Sequence, residues 1–175
     1  EPATIALAGA TVLMWWGRSD PHHVLAEIEW TTLFFFIGLF ITVEAVVEVG
    51  IIEAVAQAAL SLTSGDLTLT SMLLIWLSAI ASGIIDNIPY TAVMIPVVEG
   101  LGHSMPVEPL WWSLALGADF GGNATLVGAS ANVVVASLAE RSGYRIRFGT
   151  FLRYGVITTL LSLALASLYV WVRYL

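Results

Sequence analysis

Long runs of apolar residues alternate along the chain with short polar breaks. The stretches from Trp30 to Val49 and from Tyr154 to Val172 are almost entirely apolar, and Pro2 to Trp16 is a shorter run of the same kind. A helix needs about 20 apolar residues to cross the hydrocarbon core of a bilayer. The pattern therefore predicts an all-α polytopic membrane protein with about four crossings.

Two further apolar runs, from Thr70 to Ile85 and from Ile88 to Val98, are short for a crossing. At ~1.5 Å per residue they reach about 24 and 17 Å, and only Asp86 and Asn87 separate them. This pattern predicts a re-entrant hairpin whose tip lies inside the membrane, where irregular backbone must be buried in protein or line a cavity. Two full spans joined by a tight external turn are the alternative.

A second polar break interrupts a later apolar stretch. The residues from Trp111 to Ala118 are apolar, Asp119 to Asn123 form a glycine-rich polar segment, and Ala124 to Leu138 are mostly apolar again. We interpret this stretch as one transmembrane helix broken into two halves at residues 119–123. Earlier in the chain, Ile51 to Leu62 mixes polar and apolar residues as an interfacial helix does.

The two breaks contain the residues with the clearest chemistry. An ionised group at bilayer depth costs at least ~2.5–3.5 kcal/mol, and such groups commonly line an ion path or proton relay. Paired interrupted apolar segments mark transporter sites, where helix N-termini suit anions and unwound carbonyls suit Na⁺ or H⁺. The candidate substrate- or ion-binding residues are Asp86, Asn87, Asp119, Gly121, Gly122, Asn123, Thr125, Ser130 and Asn132.

Each of these candidates has a structural alternative. Asp86 and Asp119 could lie solvated in external loops, and Thr125, Ser130 and Asn132 could serve as polar contacts between helices. No firm metal site is visible, although Na⁺ near Asp86 or Asn123 is an option that the chemistry leaves open.

Composition and charge narrow the class of protein. Hydrophobic residues make up 58% of the 175 residues and charged residues 11%, against about 25% charged in soluble domains, so the lipid bilayer is the expected solvent. Six basic and thirteen acidic side chains argue against a nucleic-acid partner, which needs a basic patch. No Walker loop, Gly-x-Ser-x-Gly or His-Glu-x-x-His motif is present, so we expect no enzyme and no cofactor.

Two sequence motifs resemble those of a known group of transporters. The segment from Ser82 to Pro96, SGIIDNIPYTAVMIP, resembles the hairpin-tip motif of the ion transporter superfamily. The segment from Leu116 to Val134, LGADFGGNATLVGASANVV, resembles the broken-helix motif of its arsenite permease and melanosomal P-protein branch.

The resemblance implies an architecture beyond the apolar pattern. Members of the branch are secondary transporters with two inverted repeats, a scaffold domain that holds a homodimer, and a transport domain that moves as an elevator. This chain would be the C-terminal repeat. Residues 1–65 would belong to the scaffold, with two transmembrane helices and the interfacial helix, and residues 66–175 to the transport domain. Its partner would be the missing N-terminal repeat of the same transporter.

The resemblance also implies a function. Asp86 stands where dicarboxylate relatives carry the Ser of a Ser-Asn-Thr tip, which favours coupling to a cation or proton. We therefore predict a secondary active transporter of a bacterial or archaeal plasma membrane, a proton-coupled permease of the arsenite/antimonite type that carries a small inorganic ion. A sodium/proton antiporter, an anion symporter, and a passive channel or non-transporting membrane subunit are the alternatives.

Overall fold

The computed structural model describes residues 2–18, 20–28 and 30–175. Within these ranges the regular secondary structure is helical, which confirms the predicted all-α class. The helices of this part of the chain are α1 (Pro2–Gly17), α2 (Pro21–Ala26), α3 (Trp30–Glu48), α4 (Ile51–Thr63), α5 (Leu67–Ser82), α6 (Asn87–Leu101), α7 (Val107–Gly122), α8 (Ser130–Arg141) and α9 (Phe148–Tyr174).

The chain forms two compact units that divide between Leu39 and Phe40. The first unit contains α1, α2 and the start of α3. Its local order comes from caps: the Asp20 side chain accepts a hydrogen bond from the His22 amide at 3.0 Å, and Pro21 occupies the first turn of α2. The second unit holds the candidate residues. The predicted scaffold and transport domains stay predictions.

A sharp bend separates α3 from α4. The two helices are inclined by 66° over the break, and Gly50 there has a φ of +76°, a left-handed conformation that glycine adopts at no steric cost. Beyond the bend, Ile52 and Ala56 of α4 are buried in a cluster with Val97 and Val98 of α6. The apolar run from Trp30 to Val49 thus forms a helix that ends at Glu48, while the position of α4 at a membrane interface stays a prediction.

The helices α5 and α6 form an antiparallel pair joined by four residues. Asp66 caps α5 by accepting a hydrogen bond from the Leu69 amide at 2.7 Å, and α5 ends at Ser82. The Tyr90 hydroxyl of α6 donates to Ser78 Oγ of α5 at 3.0 Å. The hairpin predicted around Asp86 is therefore a helix pair with a short turn, and its re-entrant placement stays a prediction.

Close backbone contact sets the position of α7 against α5. A Cβ added at Gly117 would lie 2.5 Å from the Ile75 carbonyl oxygen, and one at Gly121 would lie 2.5 Å from Ala79 Cα. Small residues allow such approach, as in membrane helix pairs. Because the contacts advance together along both helices, α5 and α7 run in the same direction and end at the same level.

The break after α7 lies later than predicted. Asp119, Gly121 and Gly122, which we expected in the break, belong to the last turns of α7, and the non-helical segment is Asn123–Ala129. The second half-helix begins at Ser130 and not at Ala124. The physical reason is tertiary: Gly121 is buried against α5, so this glycine serves helix packing and not helix termination.

The last helix, α9, packs antiparallel to α7. Thr159 Oγ1 donates to the Phe120 carbonyl at 3.1 Å, and the Trp112 and Tyr174 rings stack with centroids 5.9 Å apart. Among the described residues, α9 is the helix long and apolar enough to cross a membrane alone, and α3 with α4 passes that test only as a bent pair. The count of about four crossings stays a prediction.

Candidate functional site

Four helix ends meet at one place in the second unit. The C-termini of α5 and α7 adjoin the N-termini of α6 and α8, and we call this region, residues 82–88 and 118–132, the junction. Hydroxyl groups tie its two segments to each other. Ser82 Oγ donates to the Ala118 carbonyl at 2.6 Å, and Thr125 Oγ1 donates to the Gly83 carbonyl at 2.7 Å.

One carboxylate, that of Asp86, caps two helices. Its Oδ1 accepts a hydrogen bond from the Ile88 amide in the first turn of α6 at 3.1 Å. Its Oδ2 accepts from the Ser130 amide of α8 at 2.8 Å and also from the Ser130 hydroxyl. Ala129, the residue at the N-cap position of α8, makes no side-chain cap of its own. Asp86 therefore satisfies amides of both helices and places a negative charge at two positive helix ends.

A second carboxylate, that of Asp119, contacts the residue that follows Asp86. The Asn87 side-chain amide donates to Asp119 Oδ1 at 3.4 Å, a long and therefore weak hydrogen bond. Both side chains line an open cavity of about 330 Å³ in the second unit. The cavity presents an amide, a carboxylate and a hydroxyl on otherwise apolar walls; its lining comprises Phe40, Asn87, Ile88, Thr91, Ala92, Ile95 and Asp119.

The remaining predicted residues shape the break between α7 and α8. Asn132 Nδ2 donates to the Gly122 carbonyl at 2.9 Å and to the Thr125 carbonyl at 3.0 Å. The first bond satisfies a carbonyl that the end of α7 leaves without a helical partner, and the second adds to the bond from the Gly128 amide to the Thr125 carbonyl within the break. Thr125 and Asn132 thus make the interhelical contacts that the structural alternative describes, and a ligand-binding role for them stays a prediction. Asn123 is the exposed C-cap residue of α7.

All nine candidate residues lie in the junction, but sequence reasoning missed others. Thr91 lines the cavity one helical turn after Asn87, and that i, i+4 spacing could have signalled it. Ser82 and Thr159 donate to carbonyls of α7 that are 36 and 39 residues away. No local pattern in the sequence predicts such contacts.

The charges of the junction do not cancel. Two helix N-termini contribute about +0.5 each and two C-termini about −0.5 each, so the helix ends offset one another and the two carboxylates remain. Among the described residues, the ion pairs are His23 with Glu27 and Arg145 with Glu140, and neither Asp86 nor Asp119 pairs with a basic side chain. The junction therefore favours a cation, a proton or a neutral hydrogen-bond donor over an anion.

The donor set does not resemble a multidentate metal centre. Within the residues that the structure describes, no three His, Cys, Asp or Glu side chains are grouped as ligands of one ion. Any cation held here would use the carboxylates, amide and carbonyl oxygens of the junction, which are the oxygen ligands that hard cations prefer.

Comparisons with known proteins place the chain among transporters. The sequence profile described as "Citrate transporter" matches residues 2–117. An uncharacterized transporter of Mycobacterium tuberculosis is 49% identical over 99% of this chain and 42% of its own length. The 46 kDa membrane protein of Mycobacterium leprae is 46% identical with the same coverage, and the human P protein is 40% identical over 97% of this chain and 22% of its own.

The chain thus spans about two fifths of the mycobacterial relatives, at 42% of their length. No solved structure matches it.

Proposed function

The chain belongs to the citrate transporter family, and from this premise we propose that it forms half of the substrate pathway of a secondary active transporter. The matches to that family and to the P protein confirm the resemblance to the ion transporter superfamily that residues 82–96 and 116–134 carry. Transporter families of this kind are integral membrane proteins. A bacterial or archaeal plasma membrane is the location we propose, in keeping with the mycobacterial relatives.

The charge of the junction supports a substrate that is not an anion. A citrate-like anion, which the family description names, would need basic side chains or free helix N-termini. Here one amide at the N-terminus of α6 and one at the N-terminus of α8 are already bound to Asp86. The single observation that carries the proposal is this pair of carboxylates, Asp86 and Asp119, without a basic partner among the described residues.

A neutral inorganic hydroxide of the arsenite or antimonite type fits the cavity chemically. Its hydroxyl groups would donate to Asp119 and accept from Asn87, replacing the weak contact of 3.4 Å between them. Exchange for protons then needs a carboxylate that can be protonated when the substrate leaves. Sodium/proton antiport is the second candidate, because carboxylate and amide oxygens also suit Na⁺.

The rest of the transporter is part of the same proposal. Because the chain covers 42% of its mycobacterial relatives, we propose that the preceding part of the polypeptide supplies the other wall of the pathway. The re-entrant hairpin, the inverted repeat, the elevator movement and the homodimer follow from the resemblance and belong to this proposal.

Transport by the full-length parent protein in proteoliposomes tests the proposal. Vesicles loaded with a pH-sensitive dye receive arsenite, then Na⁺, then a panel of anions. We expect a proton flux with arsenite, and its loss in Asp119→Asn and Asp86→Asn. Asp66→Asn is the matched control, because Asp66 caps α5 outside the junction.

The outcomes separate the candidates. A proton flux that requires Na⁺ and ignores arsenite would replace the permease by an antiporter. Flux down a single gradient that is indifferent to all three substitutions would contradict coupled transport and leave a channel or a non-transporting subunit.

A further inference from the structure

We propose that Asp86 determines the charge selectivity of the junction: its carboxylate occupies the point where α6 and α8 begin and thereby keeps external anions out. This inference rests on the proposed transport function, since it names the residue that sets the class of substrate. It concerns the class of substrate that Asp86 excludes, whereas the proposed function concerns the coupled transport that Asp86 and Asp119 together support.

The carboxylate is held as a bound anion would be held. Its two oxygens accept from the Ile88 amide at 3.1 Å, from the Ser130 amide at 2.8 Å and from the Ser130 hydroxyl. The two amides belong to different helices, and Ser130 is 44 residues away in the chain. The contact with α8 is therefore tertiary and does not result from local capping alone.

The Asp119 carboxylate is held by fewer donors than that of Asp86. It lies in the last turn of α7, next to the negative end of that helix, and the contact shown for its side chain is the Asn87 amide at 3.4 Å. Removal of Asp86 would leave two amides and one hydroxyl without their acceptor, which costs free energy. Removal of Asp119 would leave a single amide that water can satisfy.

Anion rescue tests this difference directly. In the full-length parent, Asp86→Ala deletes the carboxylate and keeps its three donors, and formate is a probe of matching shape. We expect formate, against gluconate at equal ionic strength, to raise the Tm of Asp86→Ala by about 2 °C or more. Formate uptake by this variant in proteoliposomes should exceed that of the parent by about tenfold, since the like charge is gone.

Three matched variants define the control set. Asp86→Asn fills the same space and keeps an acceptor, so formate should not stabilise it. Asp119→Ala removes the neighbouring carboxylate, and Asp66→Ala removes a carboxylate that caps a single helix. Neither should gain a formate-specific shift of the Tm or formate uptake.

The test stays decisive if Asp86→Ala folds poorly. In that case the measurement is the yield of monodisperse protein. Cells and buffers contain either formate or gluconate, and a higher yield with formate supports the proposal. Equal formate effects on the parent, on Asp119→Ala or on Asp66→Ala would overturn it, as would a folded Asp86→Ala that ignores formate. The Tm shift needs no transport, so its failure is distinct from a failure of the proposed function.

Discussion

The two interruptions in the second unit differ in how the helix that follows each of them is capped. The hairpin turn between α5 and α6 has four residues, Gly83–Asp86, and ends in its own capping carboxylate. The break between α7 and α8 has seven, Asn123–Ala129, and ends in an alanine that cannot cap a helix through its side chain. The start of α8 is capped by Asp86 of the hairpin turn.

This difference shows a direction of dependence. The hairpin turn supplies the cap of α6 from its own residues, whereas the helix break takes the cap of α8 from the hairpin turn. On their carbonyl sides the two segments are reciprocal, because Ser82 donates to Ala118 and Thr125 donates to Gly83. The break therefore depends on the hairpin turn for the cap of α8. At the C-terminal ends of α5 and α7, each segment donates one hydrogen bond to the other.

The largest effect should come from separating α5 and α7, because their close contact holds the two interruptions at the same level. In Gly121→Ala the new Cβ would lie 2.5 Å from Ala79 Cα, and we expect a loss of about 3 kcal/mol or more in the free energy of unfolding, at the upper end of overpacking. Thermal unfolding of the full-length parent measures it. Gly149→Ala, with nothing within 4 Å of its Cβ, is the control; equal Tm values for the two variants would contradict the close contact.

The next effect should come from Asp86→Asn, which tests whether one side chain serves both interruptions. The variant loses charged acceptor positions for donors of α6 and α8, and hydrogen bonds to charged groups contribute about 1.5–3 kcal/mol. Hydrogen exchange should accelerate in the first turns of both helices. Asp66→Asn should accelerate exchange only at the start of α5. Acceleration confined to α6 in Asp86→Asn would show that α8 does not depend on the hairpin.

The helices of this region could be predicted from sequence more reliably than their ends. Asp86 and Asn87 between two apolar runs predicted the hairpin turn, because polar residues and a following proline interrupt a helical pattern locally. The sequence alone predicts the break after α7 four residues too early, because Gly121 and Gly122 are typical of a helix end. The contact of Gly121 with Ala79 of α5 keeps this segment helical, and that contact depends on tertiary packing.

The structure brings the candidate residues into one region, whereas the contacts between their distant segments could not be predicted from the sequence. Asp86 could be chosen because acids are costly in an apolar stretch, yet its bond to Ser130 joins residues 44 apart. The hydroxyls of Ser82 and Thr159 escaped notice for the same reason. Periodicity and capping motifs describe neighbours in sequence, and the junction is assembled from residues distant in sequence.

A smaller effect, confined to the break, is expected from Asn132→Ala. The variant frees the Gly122 carbonyl and leaves the Thr125 carbonyl with the Gly128 amide alone, which should lower the free energy of unfolding by about 1–2 kcal/mol. Hydrogen exchange should accelerate in residues 123–132 and stay unchanged in residues 83–88. Asn123→Ala, at an exposed C-cap, is the control. Acceleration in the hairpin turn as well would mean that the two interruptions open as one unit.

The smallest effect should come from Thr91→Val, which alters the cavity and leaves both interruptions intact. Thr91 lines the cavity with Asn87 and Asp119, and a neutral hydrogen bond to substrate contributes about 0.5–1.5 kcal/mol, so the KM for transport should rise by up to about tenfold with an unchanged Tm. Thr158→Val, whose hydroxyl donates only within α9, should change neither quantity. If Thr91→Val transports like the parent while Asp119→Asn is inactive, the cavity selects its substrate by charge, and the hydroxyl contributes nothing to recognition.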